Sequence, residues 1–296
     1  MSHVIIGATG IGRHHARIFS SLGVDVSAIV GTTQSSVEKT ARLLEQSYGF
    51  QPKAFSSISD IFCDEEVKSV SICSPTELHF SHIDFLLDKE VSIFCEKPLF
   101  WNWDLDRSVA LNFLDKISKR NNAFLGTNNS SAHYVRCLKL PTQISSFSFD
   151  FHTRGKNKFK DIAVDLLPHS FSMLYELLGE QKITKYEVSK IGEYHYSTNF
   201  KYGSCEVICN FSQNQAASSF ALEIDGQRFE RVQDYSNGKY SVYMKSIETS
   251  KVFALVDPFE SSIQEFVEAA YLNNHQRTFG FQKSIFLQKC LLDTLL

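Results

Sequence analysis

The stretch Val4-Ile5-Ile6-Gly7-Ala8-Thr9-Gly10-Ile11-Gly12 decides how the rest of the chain is read. An apolar, β-like run over Val4–Ile6 meets a glycine turn, and Arg13–Leu22 behind it has the pattern of a helix. Glycines in such a turn let backbone N–H groups and a helix N-terminus come close to a pyrophosphate. Gly7 and Gly12 match the first and third glycines of G-x-G-x-x-G, while the middle position is Thr9 and the glycine is displaced to Gly10. A glycine pattern alone fits any strand-to-helix turn. The strand before it and the helix after it favour a dinucleotide site. Gly7, Thr9, Gly10, Ile11 and Gly12 are therefore the expected phosphate-binding residues.

Outward from this turn, short apolar runs alternate with helical ones. Val26–Val30 precedes a helix over Ser36–Tyr48, and a third strand over Val67–Cys73 precedes a helix over Leu78–Asp88. A fourth strand, Val91–Phe94, precedes a helix over Asp104–Arg120, and Ala123–Gly126 has the character of a fifth. Such alternation with continuously apolar strands predicts a parallel sheet covered on both faces. At the end of the second strand, Gly31-Thr32-Thr33-Gln34-Ser35-Ser36 lacks the acid that would bind the ribose 2′-hydroxyl of NAD. Hydroxyls and an uncharged edge accommodate a 2′-phosphate. Thr32 and Thr33 are expected cofactor contacts, and NADP is expected ahead of NAD.

The second half changes period. Ser145-Ser146-Phe147-Ser148-Phe149-Asp150-Phe151-His152 alternates strictly, and one helix follows over Asp165–Leu178, stopping at Gly179. Strand-like runs then cover Lys185–Tyr196, Ser204–Phe211, Ser218–Ile224, Gln227–Gln233, Lys239–Lys245 and Lys251–Val256. Asp225-Gly226 and Asn237-Gly238 are hairpin signals, and helices over Pro258–Asn273 and Gln282–Leu296 end the chain. This predicts an α/β dinucleotide-binding domain over residues 1–122 and an α+β domain over 123–296. The boundary falls near 121–128 without a Pro/Gly linker, so the halves are expected to share a tight interface.

Composition bounds the partners. The 296 residues are 43% hydrophobic and 21% charged, which excludes a disordered chain. A chain of this size buries roughly 75% of its unfolded surface. The net charge of −3 comes without like-charge blocks, so no nucleic-acid partner is expected. No apolar run approaches the ~18 residues of a membrane span, and Met-Ser-His-Val-Ile-Ile-Gly has no basic region of a signal peptide. Seven cysteines form no CxxC and read as buried, reduced thiols of a cytoplasmic protein. His14 and His15 diverge on a helix, and His79 and His82 share a face with no Cys or carboxylate in a ligand pattern. No metal is expected. Trp101 and Trp103 either wall a site or anchor the following helix.

Further motifs give the chain a family likeness. Gly12 is followed by His15, Pro75 by His79, and Glu96-Lys97-Pro98-Leu99 ends an apolar strand. Farther on, Asp165 and His169 stand in D-x-x-x-H. In this order and over nearly the whole chain, they make the sequence resemble the Gfo/Idh/MocA oxidoreductases. The resemblance implies a Rossmann domain followed by a domain with an open, mainly antiparallel sheet, with the nicotinamide between them beside Lys97. It implies that Ser74, Pro75, His79, Glu96 and Lys97 contact the cofactor, that Lys97 touches the substrate oxygen, and that the peptide before Pro98 is cis. Lys97, Asp165 and His169 are then the expected catalytic residues. The implied activity is an NAD(P)-dependent dehydrogenase or reductase (class EC 1.1.1) acting on a small hydroxyl-bearing molecule such as a sugar or polyol. An open antiparallel sheet exposes a broad face whose usual remedy is burial in a dimer, so a homo-oligomer through the C-terminal sheet is expected. Two positions depart from the family pattern: Ser172 where an aspartate is common, and Asn128-Asn129-Ser130-Ser131 where an arginine is common.

The residues also carry plainer readings. Glu96–Lys97 alone is a surface turn, although a lysine desolvated at a strand C-terminus can donate a proton or stabilise an alkoxide. Asp165 and His169, four apart, share a helix face, where the histidine can take a hydroxyl proton and the carboxylate can orient it. Asp165 can equally be an N-cap with Pro168 in the first turn. Two rival functions remain: a non-catalytic nucleotide-sensing regulator, and an imine or biliverdin-type reductase.

Overall fold

The computed structural model describes residues 2–64, 66–120, 124–235, 240–271 and 276–296. The chain divides into two compact units, one of residues 1–128 with 262–285, the other of residues 129–261 with 286–296. The chain therefore crosses between units near 128 and returns for part of its C-terminal helices. Residues 121–123, the Asn237-Gly238 hairpin signal, Lys239 and Asn273 lie outside the described residues.

The first unit is built on β1 (Ser2–Ile6), β2 (Asp25–Val30), β3 (Lys53–Phe55), β4 (Ser69–Ile72), β5 (Ser92–Cys95) and β6 (Leu125–Thr127). All pair in parallel, in the order β3-β2-β1-β4-β5-β6. Every residue of β4 and β5 is buried, as a strand covered on both faces requires. Helices α1 (Ile11–Ser21), α2 (Gln34–Tyr48), α3 (Ile58–Asp64), α4 (His79–Leu87) and α5 (Arg107–Ser118) connect the strands. In α1 the buried residues Gly12, His15, Ala16, Ile18 and Phe19 form one helical stripe. Two elements escape the sequence reading, β3 and α3. Three residues of strand and seven of helix are too short to display a period. The order reverses between β1 and β4, so the turns leaving these strands flank the crevice where such sheets bind ligands.

In the second unit, α6 (Ala132–Arg136) is followed by β7 (Ser146–His152), α7 (Asp161–Leu178), β8 (Ile183–Gly192), β9 (His195–Tyr202), β10 (Cys205–Ser212), β11 (Ser219–Ile224), β12 (Gln227–Asp234), β13 (Ser241–Ser246) and β14 (Val252–Leu255). The sheet runs β14-β13-β12-β11-β7-β10-β9-β8, antiparallel except for β7 with β10. The alternating phenylalanines of β7 point inward as the period demands, with Phe147, Phe149 and Phe151 buried, and α7 packs against β9 and β10. Three sequence expectations change here. Lys185–Tyr196 is not one strand: Gly192 pairs with His195 across a tight turn, and β8 and β9 form a hairpin. The long helix begins at Asp161, so Asp165 is not its N-cap and Pro168 lies well inside it. The last helix starts earlier than expected, so the chain ends in α8 (Pro258–Tyr271) and α9 (Gln276–Leu295). Among the described residues no helix is long and apolar enough to cross a membrane.

Candidate active site

The glycine turn joins β1 to α1. Gly7 has φ +82° and Gly10 φ +56°, values a side chain disfavours. A Cβ on Gly7 would stand 2.5 Å from the Ser74 nitrogen and 2.7 Å from the Cys73 carbonyl oxygen. A Cβ on Gly12 would stand 2.2 Å from the Gly7 carbonyl oxygen. Both glycines are thus required by close backbone approach, Gly7 against the turn after β4 and Gly12 within its own turn. Gly10 differs: nothing lies within 4 Å of its Cβ position. Thr9 and Gly10 are exposed and Ile11 is half-buried. Helix α1 has no side-chain cap and no acidic residue in its first turn. An uncapped helix N-terminus with open space over glycine suits the pyrophosphate of a dinucleotide, so these residues fit NAD or NADP.

After β2, Thr32 and Thr33 are exposed. Thr33 caps α2, its Oγ1 accepting the Ser36 N–H at 3.3 Å. Gln34 donates to Glu38 at 2.9 Å and to the Ala54 carbonyl at 3.2 Å. A carboxylate one turn into α2 therefore stands near this edge, outside the span of residues 31–36 that carries the expected cofactor contacts.

The turns after β4 and β5 are tied together. The Lys97–Pro98 peptide is cis. His79, buried at the start of α4, lies with Nδ1 2.9 Å from the Pro98 carbonyl oxygen and Nε2 2.9 Å from the Ser74 carbonyl oxygen. Burial holds its pKa below the ordinary histidine value, and a neutral ring donates to one carbonyl at a time. His79 is thus placed as a clamp between two turns. Ser74 Oγ lies 3.0 Å from His82 Nδ1, and Pro75 is exposed.

Glu96 turns inward. Its Oε1 accepts Asn128 Nδ2 at 2.8 Å and lies 2.7 Å from His15 Nε2. Burial alone would raise its pKa, but the His15 bond and charge, the Asn128 bond and the Lys97 charge outweigh it and hold it below the usual carboxylate value. Half-buried Lys97 follows in the chain. Behind Glu96 the polar chain continues through His15 Nδ1 to Ser71 Oγ at 3.2 Å, then to His3 Nε2 at 3.0 Å. His3 Nδ1 reaches Ser69 Oγ at 2.5 Å, and Ser69 bonds the Tyr271 hydroxyl. Sequence reading found Glu96 and His15 but missed His3, Ser69, Ser71, Asn128 and Tyr271.

In the second unit, Asp165 and His169 share one face of α7, as their spacing requires. Asp165 Oδ2 accepts Gln213 Nε2 at 2.6 Å and Asn157 Nδ2 at 3.1 Å. His169 Nδ1 lies 2.7 Å from Ser131 Oγ, and its ring stands edge-on to Phe151 with centroids 5.4 Å apart. Both residues are half-buried. Ser131 belongs to the stretch where the family's arginine is absent. Ser172 bonds the His169 carbonyl at 2.9 Å. Gln213 and Asn157 carried no signal in the sequence, because nothing local marks an amide as a carboxylate's partner.

The remaining candidates resolve simply. Five of the seven cysteines are buried, Cys137 is half-buried and Cys63 is exposed, so the expectation of buried thiols fails at Cys63. Burial pushes Cys205 to about 11 and Cys209 to about 12. Trp101 is buried and meets the 40% exposed Trp103 edge-on at 5.1 Å. Among the described residues no group of three His, Cys, Asp or Glu could hold a metal ion.

A parallel sheet in this order, with a glycine turn at the strand-order reversal, defines the first unit as a dinucleotide-binding fold. Residues 1–111 match the model of the oxidoreductase family with an NAD-binding Rossmann fold, Gfo/Idh/MocA. An uncharacterized oxidoreductase of Bacillus subtilis, YrbE, is 30% identical over 101 residues, which span 34% of this chain and 28% of that relative. Solved structures share the whole fold. UDP-N-acetylglucosamine 3-dehydrogenase of Acidithiobacillus ferrooxidans superimposes with a TM-score of 0.75 at 16% identity, covering 99% of this chain and 96% of its own. A 3-ketoreductase of Actinomadura kijaniata, solved with TDP-benzene and NADP, gives 0.72 at 18% identity, covering 99% and 96%. A Thermus thermophilus dehydrogenase solved with NAD and UDP-GlcNAcA gives 0.70 at 15% identity, covering 99% and 94%.

Proposed function

We propose that this chain is an NAD(P)-dependent dehydrogenase or reductase acting at a hydroxyl-bearing carbon of a sugar, a polyol or a sugar nucleotide. The observation that carries the reading is the glycine turn, with open space over Gly10, standing beside an E-K-P turn that is clamped through His79 and Glu96. A regulator that only senses nucleotide needs the first feature and not the second. Proteins of the same fold, one named for UDP-N-acetylglucosamine and one as a 3-ketoreductase, support the substrate class.

NAD(P), when bound, supplies the hydride acceptor or donor. Gly7, Thr9, Gly10, Ile11 and Gly12 would hold its pyrophosphate, and Ser74, Pro75, His79, Glu96 and Lys97 would hold its nicotinamide half. His79 positions the turns after β4 and β5. Lys97 polarises the substrate oxygen. His169, held by Ser131, takes the hydroxyl proton as hydride leaves, and Asp165 lies on the same helix face. We assign NADP as the preferred cofactor because Thr32 and Thr33 offer hydroxyls without a carboxylate. The protein is proposed to work in the cytoplasm as a homo-oligomer joined through the outward face of the second unit's sheet.

The test is kinetic. NADPH and NADH are titrated by fluorescence, then sugars and sugar nucleotides are screened with the preferred cofactor. His169→Ala lowers kcat by about 10²–10⁴-fold with cofactor affinity unchanged, and Lys97→Ala lowers kcat as well. The rate of alcohol oxidation rises with pH as the base loses its proton. Full activity of His169→Ala would favour an imine or biliverdin-type reductase. Nucleotide binding with no turnover of any hydroxyl substrate would favour the sensor.

A further inference from the structure

Arg231 stands in an unusual setting in the second unit. Residues Phe229, Arg231 and Gln233 of β12 share one face, and Phe229 is buried. The Arg231 guanidinium carbon lies 5.0 Å from the centroid of the Phe220 ring, 5.6 Å from Phe151 and 5.7 Å from Tyr134. Phe220 and Phe151 are direct cross-strand partners. Nη2 donates to Ser218 Oγ at 3.2 Å, and Nη1 lies 3.5 Å from the Tyr134 hydroxyl.

Two other arginines of the unit are neutralised: Arg228 lies 3.2 Å from Asp150 and 3.3 Å from Glu230, and Arg136 lies 2.6 Å from Glu176. Arg154 is exposed to solvent and donates to the Ala216 carbonyl at 3.1 Å. Arg231 forms no ion pair among the described residues. The acid whose charge reaches Tyr134 and Tyr240 is Asp257. Its Oδ1 is engaged in accepting the Phe259 N–H at 2.9 Å. A guanidinium carries five N–H donors in a planar fork suited to two oxygens of one anion. Here aromatic faces hold the fork in place and two hydroxyls use only part of it.

The Phe151 ring links this cation to the candidate base. Arg231 sits over it, and the His169 ring stands edge-on to it at 5.4 Å. We infer that Arg231 and Tyr134 form an oxyanion subsite, so that the substrate carries a carboxylate or a phosphate ester besides the carbon offered to His169. This rests on the assignment of His169 to the substrate. It narrows the substrate class: an uncharged sugar or polyol leaves Arg231 uncompensated.

The experiment uses the full chain saturated with NADP. Binding of D-glucose, D-glucuronate, D-glucose 6-phosphate and UDP-glucose is measured by calorimetry, and hydride transfer by nicotinamide absorbance. At least one charged probe binds about 10–100-fold more tightly than D-glucose, the worth of a charge-assisted hydrogen bond. Glucuronate against the two phosphates tells which oxyanion is preferred. Arg231→Met, which keeps an apolar stem on the rings, abolishes the preference, and Arg231→Lys restores part of it. Tyr134→Phe, which keeps the ring, weakens it less. In the wild type, the preferred probe shifts the Arg231 Nε–H signal, assigned with Arg231→Lys, so the question stays decidable if the Met variant does not fold. The subsite is wrong if no charged probe outbinds D-glucose, or if folded Arg231→Met keeps the preference. An Arg231-dependent preference without hydride transfer from any probe keeps the subsite and removes the dehydrogenase reading. Oxidation of a charged probe with the same KM in wild type and Arg231→Met keeps that reading and removes the subsite.

Discussion

Gly7 and Gly10 share one turn but respond differently to substitution. At Gly7 a Cβ collides with the backbone of Cys73 and Ser74, so any replacement disturbs folding as well as binding. At Gly10 a side chain meets no neighbour within 4 Å, and only the backbone conformation resists it, at about 1–3 kcal/mol. Gly10→Asp therefore keeps the fold, because that cost is below the ~5–15 kcal/mol of a normal domain. It places a negative charge where the pyrophosphate is proposed to lie. NADPH affinity falls by at least about tenfold, equivalent to ~1.4 kcal/mol, while circular dichroism stays at wild type. Unchanged affinity in a folded Gly10→Asp protein would show that the phosphates bind elsewhere.

At the scale of elements, β1 carries a histidine where a parallel strand usually carries an apolar residue. His3 is fully buried between Ser69 and Ser71 of β4, stacked on Phe19 of α1 at 3.7 Å. Burial, reinforced by His15, keeps its pKa well below the ordinary 6.5. Burial also lowers His79 and His82. Between the folded and unfolded pKa values the unfolded chain binds a proton that the folded chain does not. Stability from these groups is thus complete above about pH 6.5 and is lost as pH falls below it. Each fully shifted histidine contributes a slope of up to about 1.4 kcal/mol per pH unit. Urea unfolding between about pH 7.5 and 5.5 should show this loss, and His3→Leu should have a shallower slope. An equal slope in His3→Leu would mean that His3 is protonated in the fold.

At the scale of the whole molecule, the second unit's sheet has one face that no helix covers among the described residues. That face carries Ile208, 50% exposed, and Val252, 54% exposed. They stand among charged groups such as Lys201 with Glu206 and Arg228 with Asp150. A second copy covering this face would bury both apolar side chains and leave a charged rim. Sedimentation velocity of the wild type is expected to give a dimer or a higher even-numbered species, and Ile208→Asp to shift it toward the monomer with its fold intact. A wild type that sediments as a monomer at micromolar concentration would end the oligomer proposal.

Much of this protein was legible in the amino-acid order because the rules involved are local. The glycine turn after Val4–Ile6, the buried runs of β4 and β5, the period-two phenylalanines of β7 and the shared face of Asp165 and His169 each follow from neighbours a few residues apart. The start of α7 at Asp161 was less legible, because Asp165 and Pro168 imitate a helix N-terminus and only the tertiary contacts of the preceding turn show otherwise. The polar partners were not legible at all. His3 meets Ser69 and Ser71 through the β1–β4 register, 66 and 68 residues away. Ser131 meets His169 across 38 residues, and Arg231 meets Tyr134 across 97. Local periodicity determines which face a side chain takes. Which distant side chain stands opposite is decided only when strand register and helix packing bring the two elements together.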